Sequence, residues 1–188
     1  MKKYLFINLL LAIAISISAS AQKNKISFHS INTVGLISGE STSNKGFQTI
    51  NGIRFSNWFS GIGIGIDNYQ YKTLPLFADA MKFFGNEKRA FLYGDIGYNF
   101  PMNNKPGKEF AYYNSYHFTG GIYTGIGTGY QVPLSKKTSI IFSFGYSFKQ
   151  INSKTSVTII NPFMGSEDNY NNYKFTYSTL IVKAGLAF

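Results

Sequence analysis

The chain has 188 residues, enough for one domain, and a formal net charge of +10 at neutral pH. It contains no cysteine, which excludes a disulfide framework, a thiolate metal site, a catalytic thiol and a lipid anchor on cysteine. The basic residues are spread along the chain without a basic run, so we do not expect the protein to bind nucleic acid.

The first 21 residues have the pattern of a secretory signal peptide. Two lysines precede an apolar run that ends near Ile17, and Ala19-Ser20-Ala21 follows as a cleavage site. The apolar run is shorter than the ~20 residues that a membrane-spanning helix needs. We therefore predict a signal peptide at 1–21 and a single mature domain at 22–188.

The mature domain is predicted to be all-β. The 14 tyrosines, 18 phenylalanines and 19 glycines of the whole chain favour many short strands, and apolar residues recur with a period of two. Such a period places apolar side chains on one face of a strand and mixed side chains on the other. The predicted strands are 26–37, 47–58, 61–69, 74–84, 90–100, 118–132, 138–148 and 173–188.

The third predicted strand has the most regular pattern. Ile62, Ile64 and Ile66 alternate with three glycines, which could suggest a phosphate-binding loop. That interpretation fails, because a phosphate loop needs a glycine-rich turn that opens a helix. Glycines on the inner face of a narrow barrel instead leave room for large side chains from neighbouring strands.

The connections between strands are predicted to differ on the two ends of the sheet. Short turns follow strands two, four and six, with the first turn expected near Phe59 and Ser60, whereas longer loops are expected at 39–46, 101–117 and 149–172. This asymmetry is typical of outer-membrane barrels, whose extracellular loops are longer than their periplasmic turns. Within the last loop, the segment 155–160 can extend the hairpin beyond the membrane.

The last strand is predicted to close the sheet into a barrel. Leu180, Val182, Ala184 and Leu186 share one apolar face, whereas Lys183 lies on the mixed face. If this strand pairs with the first strand, no open backbone edge remains. We therefore expect an apolar face toward lipid and a mixed face toward the lumen.

A resemblance to a known group of proteins supports this interpretation. It rests on the signal peptide, on the stretches LPLFAD at 74–79 and GDIGY at 94–98, on residues 127–135, and on the terminal Phe188. In these features the chain resembles the small outer-membrane β-barrels of Gram-negative bacteria, the OmpA/OmpX-like and PorT-like families.

The resemblance implies an eight-stranded antiparallel up-and-down transmembrane barrel in the outer membrane. It implies contact with outer-membrane lipid and lipopolysaccharide, and recognition of Phe188 by the barrel-insertion machinery. The expected role is envelope-structural, adhesive or accessory to secretion, through extracellular loops that contact a surface partner. Fold alone does not identify that partner.

Two alternatives remain open from the sequence. A lipid A-modifying enzyme would need a histidine near the outer leaflet, and His117 with Ser115 is the candidate pair, although their spacing is not a motif. A soluble lipocalin-like barrel would need an apolar interior, yet Asp95 and Lys183 fall on the face that would line it. We expect no enzyme activity, no cofactor and no metal site, since His29 and His117 are the only histidines and have no ligand spacing.

Four charged residues are predicted to meet in the lumen. If the turn between strands four and five centres on Glu87, Asp79 lies opposite Asp95 and both side chains share a face. Opposed carboxylates repel each other, so Arg54 and Lys183 are expected to supply the compensating charge. The cluster would either satisfy a polar core or form a proton-sensitive site.

Mass spectrometry of the protein extracted from membranes tests the predicted processing. Cleavage after Ala21 should give a mature chain that begins at Gln22. A chain that retains Met1 would contradict the prediction.

Overall fold

A computed structural model of the chain describes residues 26–40, 42–102, 114–161 and 165–188, without the side chains of 114–117, 155–161 and 165–170. The predicted signal peptide lies outside the described residues. Among those residues, no helix is long and apolar enough to cross a membrane.

Within the described ranges, nine β-strands form one antiparallel sheet in which neighbours in sequence are mostly neighbours in space. They are β1 Ser27–Ser38, β2 Ser43–Phe55, β3 Trp58–Asp67, β4 Thr73–Phe84, β5 Ala90–Pro101, β6 Asn114–Thr119, β7 Gly121–Pro133, β8 Ser139–Asn161 and β9 Gly165–Ala187.

The sheet closes on itself as predicted. β9 pairs with β8 on one side and with β1 on the other, from Ile31 opposite Ala187 to Ser38 opposite Leu180. The backbone of Phe188 continues this ladder, because its N–H donates to Ser30 O at 2.9 Å and its carbonyl accepts from Ser30 N at 2.7 Å. β6 and β7 occupy one position around the barrel, so the closed fold is an eight-stranded antiparallel barrel.

The sixth predicted strand is interrupted by a bulge between β6 and β7. Residues 120–122 stand against only two residues of β8, between the pairs Thr119–Asn152 and Tyr123–Lys149. A Cβ atom at Gly120 would collide with the carbonyl oxygen of Asn99, so the bend requires glycine. The Asn152 side chain stabilises the bulge by donating to Gly120 O at 2.9 Å.

The longest predicted loop, 149–172, is wrong, except that the hairpin extension expected at 155–160 is confirmed. β8 and β9 have 23 residues each and remain paired from Ser139–Ala187 to Asn161–Gly165. β6 adds a third strand along Asn152 to Val157 of β8. We call β6 together with residues 152–161 and 165–174 the projecting sheet, because it extends beyond the closed barrel.

Two other predicted connections are also shorter or displaced. The predicted loop 39–46 is only 39–42, since β1 and β2 remain paired up to Ser38 and Ser43. The tight turn between β2 and β3 is not at Phe59 but at residues 56–57, where Ser56 adopts a φ of 54°. The polar residues at 43–45 were expected in a loop, but they continue the β1–β2 ladder because the barrel already sets its register.

The two faces of the barrel have the predicted polarity. Thr179, Ile181, Lys183 and Ala187 of β9 are buried, whereas Leu180, Val182 and Leu186 are exposed. The exposed apolar side chains of the other strands include Ile62, Ile64, Ile66, Leu92, Ile96, Ile122, Ile126, Phe142 and Phe144. An apolar outside around a partly polar inside is the reverse of a soluble ligand-binding barrel.

Large side chains fill the lumen. The buried cluster comprises Ile31, Ile50, Phe59, Phe77, Met81, Phe83, Phe91, Tyr93, Tyr123, Ile141 and Ala187. Glycine makes space for these rings: a Cβ atom at Gly63 would collide with the ring of Phe77. The predicted role of the β3 glycines is confirmed at this position, and the interior is packed as expected for eight strands.

An arginine at Val182 tests the lipid-facing assignment. Val182 lies on the exposed apolar face of β9, where Arg should lower the free energy of unfolding by ~2–4 kcal/mol in lipid. Urea titration in liposomes, followed by the fluorescence of Trp58, measures the change. Ser135→Arg in the β7–β8 turn is the control, and an equal loss in both variants would contradict the assignment.

Candidate functional site

Asp79 and Asp95 lie opposite each other in the β4–β5 register, as the symmetric turn predicts. Both are buried, with 2% and 5% of their surface exposed. Within the described part of the chain, neither oxygen of Asp79 nor Oδ1 of Asp95 has a hydrogen-bond partner. Gly125 on β7 makes space for the pair, since a Cβ atom there would lie 2.9 Å from Asp95 Oδ2.

Lys183 is the cation that the structure brings to these carboxylates. It is buried and close enough to act electrostatically on both Asp79 and Asp95. Among the described residues, however, it forms no ion pair within 4.0 Å with either one. Its ammonium instead donates to Gln48 Oε1 at 3.0 Å and lies 4.5 Å from the centre of the Tyr93 ring.

Sequence reasoning missed the neutral groups that surround Lys183. Gln48 accepts from Lys183 and donates through Nε2 to the Tyr123 hydroxyl at 3.1 Å. These contacts join β2, β7 and β9 across the lumen. The inward positions of Gln48 and Tyr123 follow from the period of two, but their contact depends on strands 75 residues apart.

The structure places Arg54 outside this cluster. Its guanidinium lies over the Phe83 ring, with Cζ 4.0 Å from the ring centre, a favourable cation–π contact. Phe83 is four residues from Asp79 along β4, a separation of about 13 Å. Arg54 therefore lies toward the tight-turn end of the lumen rather than beside the carboxylates.

A buried ion pair, which was not predicted, lies toward the other end of the lumen. Lys149 Nζ is 3.0 Å from Asp67 Oδ2 and donates to Tyr69 O at 2.8 Å. The other Asp67 oxygen accepts from Tyr69 N at 2.7 Å. Lys149 is only 1% exposed. The alternation of β8 places it inward, but the predicted strand ended at residue 148 and therefore did not include Lys149.

Aromatic side chains cover this ion pair. The Tyr71 ring lies 5.0 Å from Phe118, 6.4 Å from Phe175 and 6.3 Å from Tyr177. Tyr69 lies 6.0 Å from Tyr177 and is buried against Gly39, where a Cβ atom would collide with its ring. The β3–β4 connection thus reaches across the mouth of the barrel, and ion pair and aromatic layer close that end.

The projecting sheet begins directly above this aromatic layer. Lys154, Asn172 and Lys174 are exposed, and Tyr173, which is 51% exposed, stacks on Phe175 with ring centres 6.4 Å apart. Above Leu180, the edge of β9 opposite β8 has no strand partner within the described ranges. The sheet therefore presents polar, aromatic and unpaired backbone groups.

The histidines provide no assembled catalytic or metal site in the described region. His29 Nε2 lies 3.1 Å from the Ser27 hydroxyl. The backbone of His117 lies opposite Lys154 and that of Ser115 opposite Ser156, but both side chains fall outside the described part. No group of three metal-ligating residues occurs among the described side chains.

The geometry identifies the protein as an outer-membrane β-barrel. The backbone ladder is closed, which is required of strands in lipid. The exterior is apolar, and tight turns at 56–57, 85–89 and 134–138 share one end while the longest hairpin lies at the other. By the usual asymmetry, we expect the projecting sheet on the extracellular side.

Comparison with known proteins adds only distant likenesses. No protein family matches the sequence, and no curated protein is significantly similar to it. Solved structures that align with the chain include the outer membrane protein AlkL in DMPC bilayers, with 12% identity over 88% of this chain and 86% of its own, at a TM-score of 0.47. The outer membrane protein OprG from Pseudomonas aeruginosa is 12% identical, with 85% of this chain and 93% of OprG covered, at a TM-score of 0.38. The translocator domain of the autotransporter NalP from Neisseria meningitidis is 11% identical, with 100% of this chain and 97% of that domain covered, at a TM-score of 0.30.

Removing Lys149 tests the ion pair at the mouth. Lys149→Met leaves Asp67 buried and uncompensated, so the free energy of unfolding should fall by ~3–5 kcal/mol. Adding Asp67→Asn should restore much of it, and Lys154→Met, an exposed lysine on the same strand, should change little. Equal effects of Lys149→Met and Lys154→Met in urea titration would contradict a buried pair.

Proposed function

We propose that the protein is a sealed outer-membrane scaffold that holds the projecting sheet at the cell surface for contact with an envelope or surface partner. Its role is structural, adhesive or accessory to secretion. Within the small outer-membrane barrels, we place it with the OmpA/OmpX-like and PorT-like group. No reaction is assigned to it.

The observation that carries this proposal is the continuity of β8 and β9. Each has 23 residues, about 75 Å of strand at 3.3 Å per residue, whereas a tilted strand crosses a bilayer in roughly 9–11 residues. The same ladder therefore runs from the lipid-facing barrel into the projecting sheet. A partner bound to that sheet would be held on a rigid support rather than on a free loop.

The filled lumen favours a scaffold role for the barrel rather than a transport role. Tyr123 and Phe77 pack across the interior at 5.4 Å, and the Lys149–Asp67 pair lies beneath the aromatic layer. A small barrel filled in this way leaves the projecting sheet, which carries the ends of the two longest described strands, as the surface offered to a partner. Binding residues are often carried by such elements on a rigid barrel.

Lipid and the insertion machinery are the other proposed partners. The apolar exterior would contact acyl chains, and the exposed Lys72 at the extracellular rim would meet the phosphates of lipopolysaccharide. Phe188 is 52% exposed on the lipid-facing side of the terminal ladder. We propose that this ring is the signal for barrel insertion.

A trimmed hairpin tests the proposed function. Because Ser153 lies opposite Tyr173, residues 154–172 can be replaced by Asn-Gly to close a two-residue hairpin. A photo-crosslinking amino acid at position 174 should give an adduct of defined mass on intact cells in the full-length protein. The trimmed protein should lose this adduct but keep the slower gel mobility on heating that marks a folded barrel.

The same photo-crosslinking amino acid at position 135, in the opposite turn, is the matched control and should not give that adduct. An adduct that survives trimming, or none at position 174 while the barrel is folded and surface-exposed, would contradict the proposal.

A further inference from the structure

The carboxylate pair in the lumen has two potential negative charges and only one positive charge facing it. The titratable and charged groups that face it are Tyr93 from β5, Tyr123 from β7 and Lys183 from β9, with the neutral Gln48 from β2. Two carboxylates thus share one ammonium. With both ionised, this layer of the lumen would carry one uncompensated negative charge, which is costly away from water.

The environment does not relieve that charge through hydrogen bonds. Three of the four carboxylate oxygens have no partner among the described residues, and Lys183 directs its ammonium to Gln48. The lumen does satisfy ions elsewhere, since both oxygens of Asp67 are bonded. Of the three buried aspartates in the described lumen, only Asp79 and Asp95 therefore have oxygens without partners, although the neutral amide of Asn99 also has none.

A metal ion does not fit between them. A small cavity lined in part by Gln48, Asp67 and Lys183 is not lined by either Asp79 or Asp95. Hard cations require about six oxygen ligands, and the described groups supply no such set. A proton needs neither volume nor further ligands.

We propose that Asp79 and Asp95 bind one proton between them, as a carboxylic acid whose O–H donates to the opposing carboxylate. The proton comes from solvent as the barrel folds. One acid, one carboxylate and the Lys183 ammonium then sum to zero charge. The opposed register of β4 and β5 becomes a hydrogen bond instead of a repulsion.

This proton makes stability depend on pH in a defined direction. Free carboxyl groups are ionised above about pH 4, so at neutral pH the folded barrel holds one proton that the unfolded chain lacks. Stability from this site is present at low pH and is lost as pH rises. While the site remains occupied, the unfolding equilibrium constant should rise about tenfold per pH unit from this proton alone.

Infrared spectroscopy of the intact barrel in liposomes at neutral pH tests the proposal directly. Wild type should show the carbonyl band of a protonated carboxylic acid, shifted in D₂O. Asp79→Asn and Asp95→Asn should each abolish it, whereas Glu87→Gln, which removes an exposed carboxylate from the same hairpin, should leave it unchanged. No such band in the wild type would overturn the proposal.

The pH dependence of unfolding gives a second test. In wild type and Glu87→Gln, the unfolding constant should rise with pH. In either Asn variant, the factor by which it rises per pH unit should be about tenfold smaller. If these slopes do not differ, the shared proton is refuted. If exchanging sodium for potassium at fixed ionic strength changes wild-type stability but not that of the variants, a bound metal cation replaces the proton as the explanation.

Discussion

Closure of the backbone ladder is the constraint on which the rest of this structure depends. Lipid offers no hydrogen bonds, so each strand must be paired on both edges within the membrane. The pairing of β1 with β9 meets this requirement and continues to the last residue through Ser30 and Phe188. Once the ladder is closed at eight strands, the width of the lumen is fixed, and the inward side chains must fill it.

Filling a narrow lumen determines both its glycines and its charges. Gly63 and Gly125 sit where Phe77 and Asp95 need space. Charged groups inside must be compensated locally, because water does not screen them. Lys149 and Asp67 achieve this by direct contact, whereas Asp79, Asp95 and Lys183 achieve it through the proposed shared proton. The sealed barrel then supports the projecting sheet through uninterrupted strands.

The sequence pattern predicted the features that depend on residues close together in the chain. The alternation in β3 and β9 gave the correct lipid and lumen faces, and the symmetric turn around Glu87 gave the Asp79–Asp95 pair. The position of Arg54 along the barrel axis could not be predicted, because it depends on the stagger between strands that are distant in sequence. The extension of β8 was predicted only at 155–160, because the Lys, Gln, Asn and Ser residues between 149 and 154 resemble a loop, and Lys149 was missed with them.

If the barrel is a filled support and not a passage, it should not conduct ions. Purified protein reconstituted into a planar lipid bilayer tests this most directly, by recording ionic current at neutral pH. Insertion, verified by extracellular protease access to the projecting sheet, should add no discrete conductance. Stable open steps at low applied voltage from the same folded protein would contradict it.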